Sequence, residues 1–284
     1  MKIGQIGIGR KLYERKSGMQ FRIAAQDHYG SGITTLLCEH VIGVRALDAA
    51  EPERKCNSLY EASDQFGSNH YPTSNLNAYL NSDKIQWYEP KHKFDCPPDE
   101  KHTRYGEFPY EQEPGFLLRF SEEMRENLVF TEIPVLVRTG RGTAELKSLN
   151  AAVFLPSRTE MNKGNELGIP EGKPLPIFYD HYIFKAVPAP EQLEKYGRLW
   201  QPEEPEKGLY YDIAQMYDPK FGWWYYMRTP NTMYSFLQRV MSPYGSVSYT
   251  YAYNDDVGIR PLINIRADME AADVGVAEPV YRIG

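Results

Sequence analysis

The last third of the chain constrains its fold most. Four short apolar segments, Tyr225–Arg228, Leu237–Met241, Ser246–Tyr249 and Ile259–Ile265, are separated there by Gly, Pro and Asn. Segments this short, with turn residues between them, predict a small antiparallel meander. Aromatic residues gather in the same region. Ten of the 22 tyrosines fall between Tyr210 and Tyr253, and three of the four tryptophans lie at or after Trp200. Around them stand Ser, Asn and Gly, with almost no Lys or Glu. Tyr offers large, rigid contact area at low entropic cost, and the small polar residues offer adaptable hydrogen bonds. The pattern predicts a displayed recognition surface held between two rigid anchors.

Upstream, the signals are mixed. Residues 18–26 alternate as a strand, and a Gly turn leads into a second apolar strand that runs to Leu47. Leu76, Tyr79 and Leu80 stand at helical spacing behind Ser74, which predicts a short capped helix over 74–81. Phe116, Leu117, Phe120, Met124 and Leu128 give a second helical pattern. Ile133–Arg138 and Ala152–Leu155 read as strands across a Gly-Arg-Gly-Thr loop. Ser157 and Glu160 have the spacing of a capping box that opens another short helix. Residues 187–208 read as an exposed loop rich in Pro and Glu. With 22 Gly and 21 Pro in 284 residues, the chain suits a loop-rich α+β or β fold better than a helix bundle. Residues 1–17 read as an N-terminal arm. Residues 18–284 read as a single domain, with 210–265 as its aromatic display meander.

Charge and cysteine usage narrow the function. A net charge of −6 and a pI near 5.6 argue against nucleic acid as a partner. No apolar run approaches the length that spans a bilayer, so membrane insertion is not expected. The opening M-K-I-G-Q-I-G-I-G-R lacks a signal-peptide apolar region, and synthesis in the cytoplasm is expected, with exit by lysis or a dedicated machine. Cys38, Cys56 and Cys96 are odd in number and lack C-x-x-C spacing, against a disulfide scaffold or a structural zinc.

The chemical motifs are few. His92, Cys96 and His102 share a loop, but their spacing matches no zinc pattern, and the Asp95, Asp99 and Glu100 carboxylates lack a calcium-loop arrangement. Gly4, Gly7 and Gly9 have no strand before them and no G-K-[ST] after them, unlike a phosphate loop. No G-x-S-x-G or H-E-x-x-H occurs. No catalytic residue, metal or cofactor is expected. Trp223, Trp224, Tyr225 and Tyr226 read first as core aromatics. Arg228 and Arg260 sit inside apolar strands, so each should be paired or stacked on a ring.

Five stretches together resemble an uncharacterised domain family of bacteria and their phages: Thr34–Pro52 (T-T-L-L-C-E-H-V-I-G-V-R-A-L-D-A-A-E-P), Ser74–Ser82 (S-N-L-N-A-Y-L-N-S), Val153–Glu160 (V-F-L-P-S-R-T-E), Tyr225–Pro230 (Y-Y-M-R-T-P) and Gly258–Ile265 (G-I-R-P-L-I-N-I). Order and spacing agree over nearly the whole chain. Tyr225-Tyr226 replace the usual Trp pair, and Pro156 replaces an aliphatic residue. The family's W-W-x-R-S/T…G-x-R-P ending, which stands here as Y-Y-M-R-T…G-I-R-P, is similar to that of C-type-lectin-like folds, which include formylglycine-generating enzymes and variable receptor-binding proteins of phages. The oxidases of that group use a late cysteine pair and the sulfoxide synthases an H-x3-H-x-E helix. Neither occurs here.

The resemblance implies an α+β, C-type-lectin-like domain with short antiparallel strands, two or three short helices and long loops. It implies a non-enzymatic virion surface protein, a tail-fibre, baseplate or capsid-surface component of a phage or prophage. Expected partners are a host-surface glycan or protein, other virion proteins and the chain's own copies. Tyr234, Phe236, Gln238, Ser248, Tyr249, Tyr251, Tyr253 and Asn254 are the expected ligand contacts. Trp223, Trp224, Arg228, Gly258, Arg260 and Pro261 are the expected scaffold. Two alternatives stand beside this: a structural assembly protein whose aromatic surface is a subunit interface, and a metalloenzyme related to the formylglycine-generating group.

Overall fold

The computed structural model describes residues 1–189, 222–274 and 280–284. The expectations for 190–221, including Tyr210, Tyr211, Tyr217 and Trp200, lie outside these residues. The described chain is α+β, mostly strand, with short helices. Among the described residues, twelve strands form three sheets. The largest has the order β11-β12-β1-β2-β3-β10-β6, built from β1 (Lys11–Glu14), β2 (Gln20–Gln26), β3 (Ile33–Cys38), β6 (Val153–Phe154), β10 (Leu262–Arg266), β11 (Ala272–Asp273) and β12 (Val280–Ile283). A hairpin pairs β4 (Thr131–Gly140) with β5 (Thr143–Ala151). The third sheet is β7 (Tyr225–Pro230), β8 (Leu237–Met241) and β9 (Val247–Tyr251), in that order.

Residues 1–17 are not an arm. β1 pairs antiparallel with β2 and parallel with β12, and Ile3, Ile6 and Leu12 are buried. The buried Glu14 carboxylate accepts the backbone N–H groups of Ser17 and Ser121, tying this segment to the chain a hundred residues on. Hydrogen bonds to the ionised form hold its pKa below the ordinary glutamate range, against the upward pull of burial. One apolar cluster runs from Ile3 to Ile283.

The C-terminal meander has three strands, not four. The segment expected as the fourth becomes β10 and enters the large sheet between β3 and β6, where Ile263 lies opposite Leu36 and Val153. Leu262, Ile263 and Ile265 are all fully buried, so β10 is covered on both faces, as a central strand of a large sheet is.

The helices are short. α1 is Ser63–Phe66, α2 is Asn75–Leu80 and α3 is Glu122–Glu126. Ser74 caps α2 by accepting the Asn77 N–H, and Ser121 caps α3 by accepting the Met124 N–H. The second helical pattern is interrupted: a 3-10 turn over Phe116–Arg119 precedes α3, and Phe120 between them is extended. The strand expected to run to Leu47 stops at Cys38. The exchange expected between Ser157 and Glu160 is made, with Ser157 N to Glu160 Oε2 at 2.9 Å and Glu160 N to Ser157 Oγ at 3.1 Å. A turn follows instead of a helix. The Glu160 carboxylate also receives Arg228 and the Tyr29 hydroxyl, so it serves a long-range pairing as well as a local cap.

Candidate functional site

Three elements build one aromatic strip. α1 ends in Phe66, and Gly67 follows at φ +71°, where an added Cβ would stand 2.5 Å from the Asp48 carbonyl oxygen. Only glycine fits that turn. The turn brings Phe66 under β8 and β9, where Tyr253 N donates to Phe66 O at 3.0 Å. The Phe66 ring stacks on Tyr251 at 4.7 Å and meets Phe236 at 5.6 Å and Tyr253 at 5.5 Å. Phe236 stacks on Tyr251 at 6.0 Å and touches Tyr234 at 5.5 Å. Phe66, Phe236, Tyr251 and Tyr253 are half-buried and Tyr234 is 38% exposed, so the rings support each other and still show faces to solvent.

Two arginines end the strip. The Arg104 guanidinium lies 5.8 Å from the Tyr251 ring and 4.9 Å from Tyr105. Arg141, at the tip of the β4–β5 hairpin, lies 5.6 Å from the Tyr234 ring. The tip is held there by Gly142 N donating to Thr232 O at 2.9 Å. Both arginines are exposed, and among the described residues neither has a carboxylate at ion-pair distance. Beside the strip, Tyr249 is 56% exposed and the guanidinium of Arg239 lies 5.7 Å from its ring, while Arg239 pairs with Glu166.

Two expected contacts face inward. Gln238 is fully buried and its Nε2 donates to Met227 O, because β8 is covered on both faces and alternate positions do not reach solvent. Asn254 is 3% exposed. Its amide donates to Thr250 and its Oδ1 accepts from Arg104 at 3.3 Å, which positions the arginine from below. Ser248 lies half-buried on the edge strand β9 opposite Val240.

The sequence reading missed Phe66, Arg104 and Arg141. Each lies some ninety or more positions from the strand it meets, and only the F-G pair at Phe66-Gly67 hinted at a ring brought in by a tight turn.

Of the expected scaffold residues, all but Trp224 are buried. Arg228 is fully buried and its two terminal nitrogens fork onto Glu160, each at 2.5 Å. The same side chain donates to Leu155 O at 2.8 Å and Pro134 O at 3.1 Å. Arg260 donates to the carbonyls of Cys38, Ile183 and Glu39 at 2.9, 2.5 and 3.2 Å. Trp223 is buried and its indole N–H donates to Asp256 O at 3.3 Å, whereas Trp224 is half-buried. A Cβ at Gly258 would stand 2.6 Å from Trp224 O, so only glycine lets the two backbones approach there. Pro261 is buried and accepts the Cys38 N–H at 3.1 Å.

This span, from β3 through the strip to β10, is what a family model matches, over residues 33–267. The chain belongs to the DUF6273 family, a domain of unknown function. Comparisons with curated proteins and with solved structures give no match. The matched span contains every residue of the strip and both terminal arginines. β1, β2, β11 and β12 fall outside it.

No group of three or more His, Cys, Asp or Glu suited to a metal ion occurs among the described residues. His92 and His102 are each engaged by a neighbouring carboxylate, Asp95 and Asp99, at 3.1 and 2.7 Å. Cys38 is buried, and burial pushes its thiol up to about 12, too high to act as a thiolate near neutral pH. Among the described residues, the strip offers ring faces and two exposed arginines with no carboxylate at ion-pair distance.

Proposed function

We propose that this DUF6273 domain is a non-enzymatic, C-type-lectin-like recognition module on a phage or prophage virion. In this reading it binds a host-surface glycan or protein through the strip from Tyr234 to Tyr253. The observation that carries the reading is the contiguous run of half-exposed rings, Tyr234, Phe236, Tyr251 and Tyr253, locked from behind by Phe66. Preorganised aromatic faces bind with little ordering cost, and aromatic and Arg residues dominate binding energetics at such surfaces. Rings stack on sugar faces or apolar side chains, and Arg104 and Arg141 add anion pairing at either end. The virion setting rests on the resemblance of the family's W-W-x-R-S/T…G-x-R-P ending, here Y-Y-M-R-T…G-I-R-P, to that of phage receptor-binding proteins, where the segment before G-x-R-P carries the contacts.

The test is binding of the full chain, displayed multivalently on beads, to a panel of intact bacterial strains. A Tyr234→Ala/Tyr249→Ala variant serves as control, because both side chains are exposed and their removal spares the fold. Saturable binding to some strains, reduced about tenfold or more in the variant, is expected. A folded wild-type chain that binds none of them would overturn the reading and favour a role inside the particle.

A further inference from the structure

The outer edge of β5 carries a self-complementary pattern. β5 pairs with β4 and with no other described strand, and all but Ala144, Leu149 and Ala151 of its nine residues are exposed. Leu136 lies opposite Leu146, but its N–H goes to Glu171 Oε1 at 3.1 Å, on the far side from β5. Likewise Pro134, opposite Ser148, turns its carbonyl to Arg228. These are therefore the non-hydrogen-bonded pairs of the ladder, so Leu146 and Ser148 direct their own N–H and C=O groups to the open edge. Ala144, two residues earlier, does the same.

We infer that this edge pairs with the β5 edge of a second copy, antiparallel, about a two-fold axis at Leu146. In that register Leu146 exchanges both backbone hydrogen bonds with its counterpart, and Ala144 does so with Ser148. Glu145 then stands directly opposite Lys147 of the other chain, twice per interface, in the close non-hydrogen-bonded positions. The alternative two-fold at Ser148 would set Lys147 against Leu149 and lose both charge pairs. A lone Lys on an open edge is a guard against pairing. Here an exposed Glu two residues earlier, 2.7 Å from Lys147 within the chain, makes the guard selective for one partner and one register. The contact is isologous, as a closed dimer requires. Because the hairpins meet antiparallel, the two Arg141 tips point to opposite ends of a four-stranded ribbon. The inference does not depend on what the aromatic strip binds.

Sedimentation of the full chain over a concentration series, with charge-reversed variants, tests it. Glu145→Lys and Lys147→Glu each place like charges opposite one another and should raise the dimer dissociation constant about tenfold, while the double variant restores it. In a Cys56→Ser background, Glu145→Cys mixed with Lys147→Cys should form an interchain disulfide, since Cα atoms at such positions are about 4.5 Å apart. Either cysteine variant alone should not. A chain that stays monomeric at the highest concentrations it tolerates overturns the inference. So does a dimer indifferent to both charge reversals.

Discussion

Of the arginines that lie over aromatic rings among the described residues, two pairs at nearly the same ring distance do opposite things. Arg228 is 5.5 Å from Phe154 and Arg260 is 5.6 Å from Tyr225, while Arg141 is 5.6 Å from Tyr234 and Arg104 is 5.8 Å from Tyr251. The ring contact does not distinguish them. Their other partners do. Arg228 and Arg260 are buried, and their donors are taken by a carboxylate or by backbone carbonyls from distant segments. Arg104 and Arg141 are exposed and leave most of their donors to solvent. The first pair closes the fold and the second is available to a ligand. The same residue type thus marks scaffold or surface according to how many acceptors the chain supplies.

The largest effect is expected where that supply is complete. Arg228→Met removes the cation facing Glu160 and leaves a buried carboxylate with only Tyr29 and local backbone groups around it. A buried pair broken on one side costs about 3–5 kcal/mol, a large part of the stability of an ordinary domain. Urea unfolding should show the loss. Adding Glu160→Gln removes the uncompensated charge and should recover much of it. A double variant no better than the single would mean that Arg228 acts through its carbonyl contacts rather than through the ion pair.

Two adjacent carboxylates repeat the comparison on a smaller scale, and here pH is the probe. Asp255 accepts the N–H groups of Tyr105, Glu107 and Phe108 at 3.0, 3.0 and 3.2 Å. Asp256 Oδ1 is buried with no hydrogen-bond partner, and burial followed by repulsion from Asp255 pushes its pKa up to about 6, with Arg104 pulling it back. The unfolded chain releases that proton near the ordinary value of 3.8, so between 3.8 and about 6 the folded state holds more protons. Stability contributed by this group is therefore full below pH 3.8 and is lost as pH rises through about 6. Asp256→Asn should flatten that part of the stability–pH curve in urea titrations. An unchanged slope would mean that Asp256 is ionised throughout, neutralised by Arg104.

The scaffold was more legible in the sequence than the strip. Ser74 announced its helix because a cap is a local event, and Leu237–Met241 announced β8 because turn residues bound it on both sides. Arg228 and Arg260 announced themselves as satisfied cations because an arginine inside an apolar strand has few other options. What stayed hidden was non-local. Four residues of β1 carry too weak an alternation to be read, and their parallel partner β12 lies at the other end of the chain. Gln238 was read as outward-facing because alternation alone cannot tell a one-sided strand from a strand covered on both faces. Phe66 and the two free arginines reach the strip only through tertiary contacts.

The smallest expected effect on stability is the one that decides whether the two arginine pairs differ in kind. Arg104→Ala and Arg141→Ala remove exposed cations, each stacked over a ring, and an exposed stack of this sort contributes only about 0.5–1 kcal/mol. Surface substitutions of this type typically change unfolding free energy by no more than about 0.5 kcal/mol, so both variants should unfold within about 1 kcal/mol of the parent. Binding, where it is found, should respond differently. Loss of either arginine should weaken it most at low ionic strength and reduce its dependence on salt, because an exposed charge acts over a Debye length and is screened beyond it. A variant that loses about 2 kcal/mol or more of stability would place its arginine with Arg228 and Arg260. Asn254 beneath Arg104 would then be a structural clamp rather than the support of a ligand-facing cation.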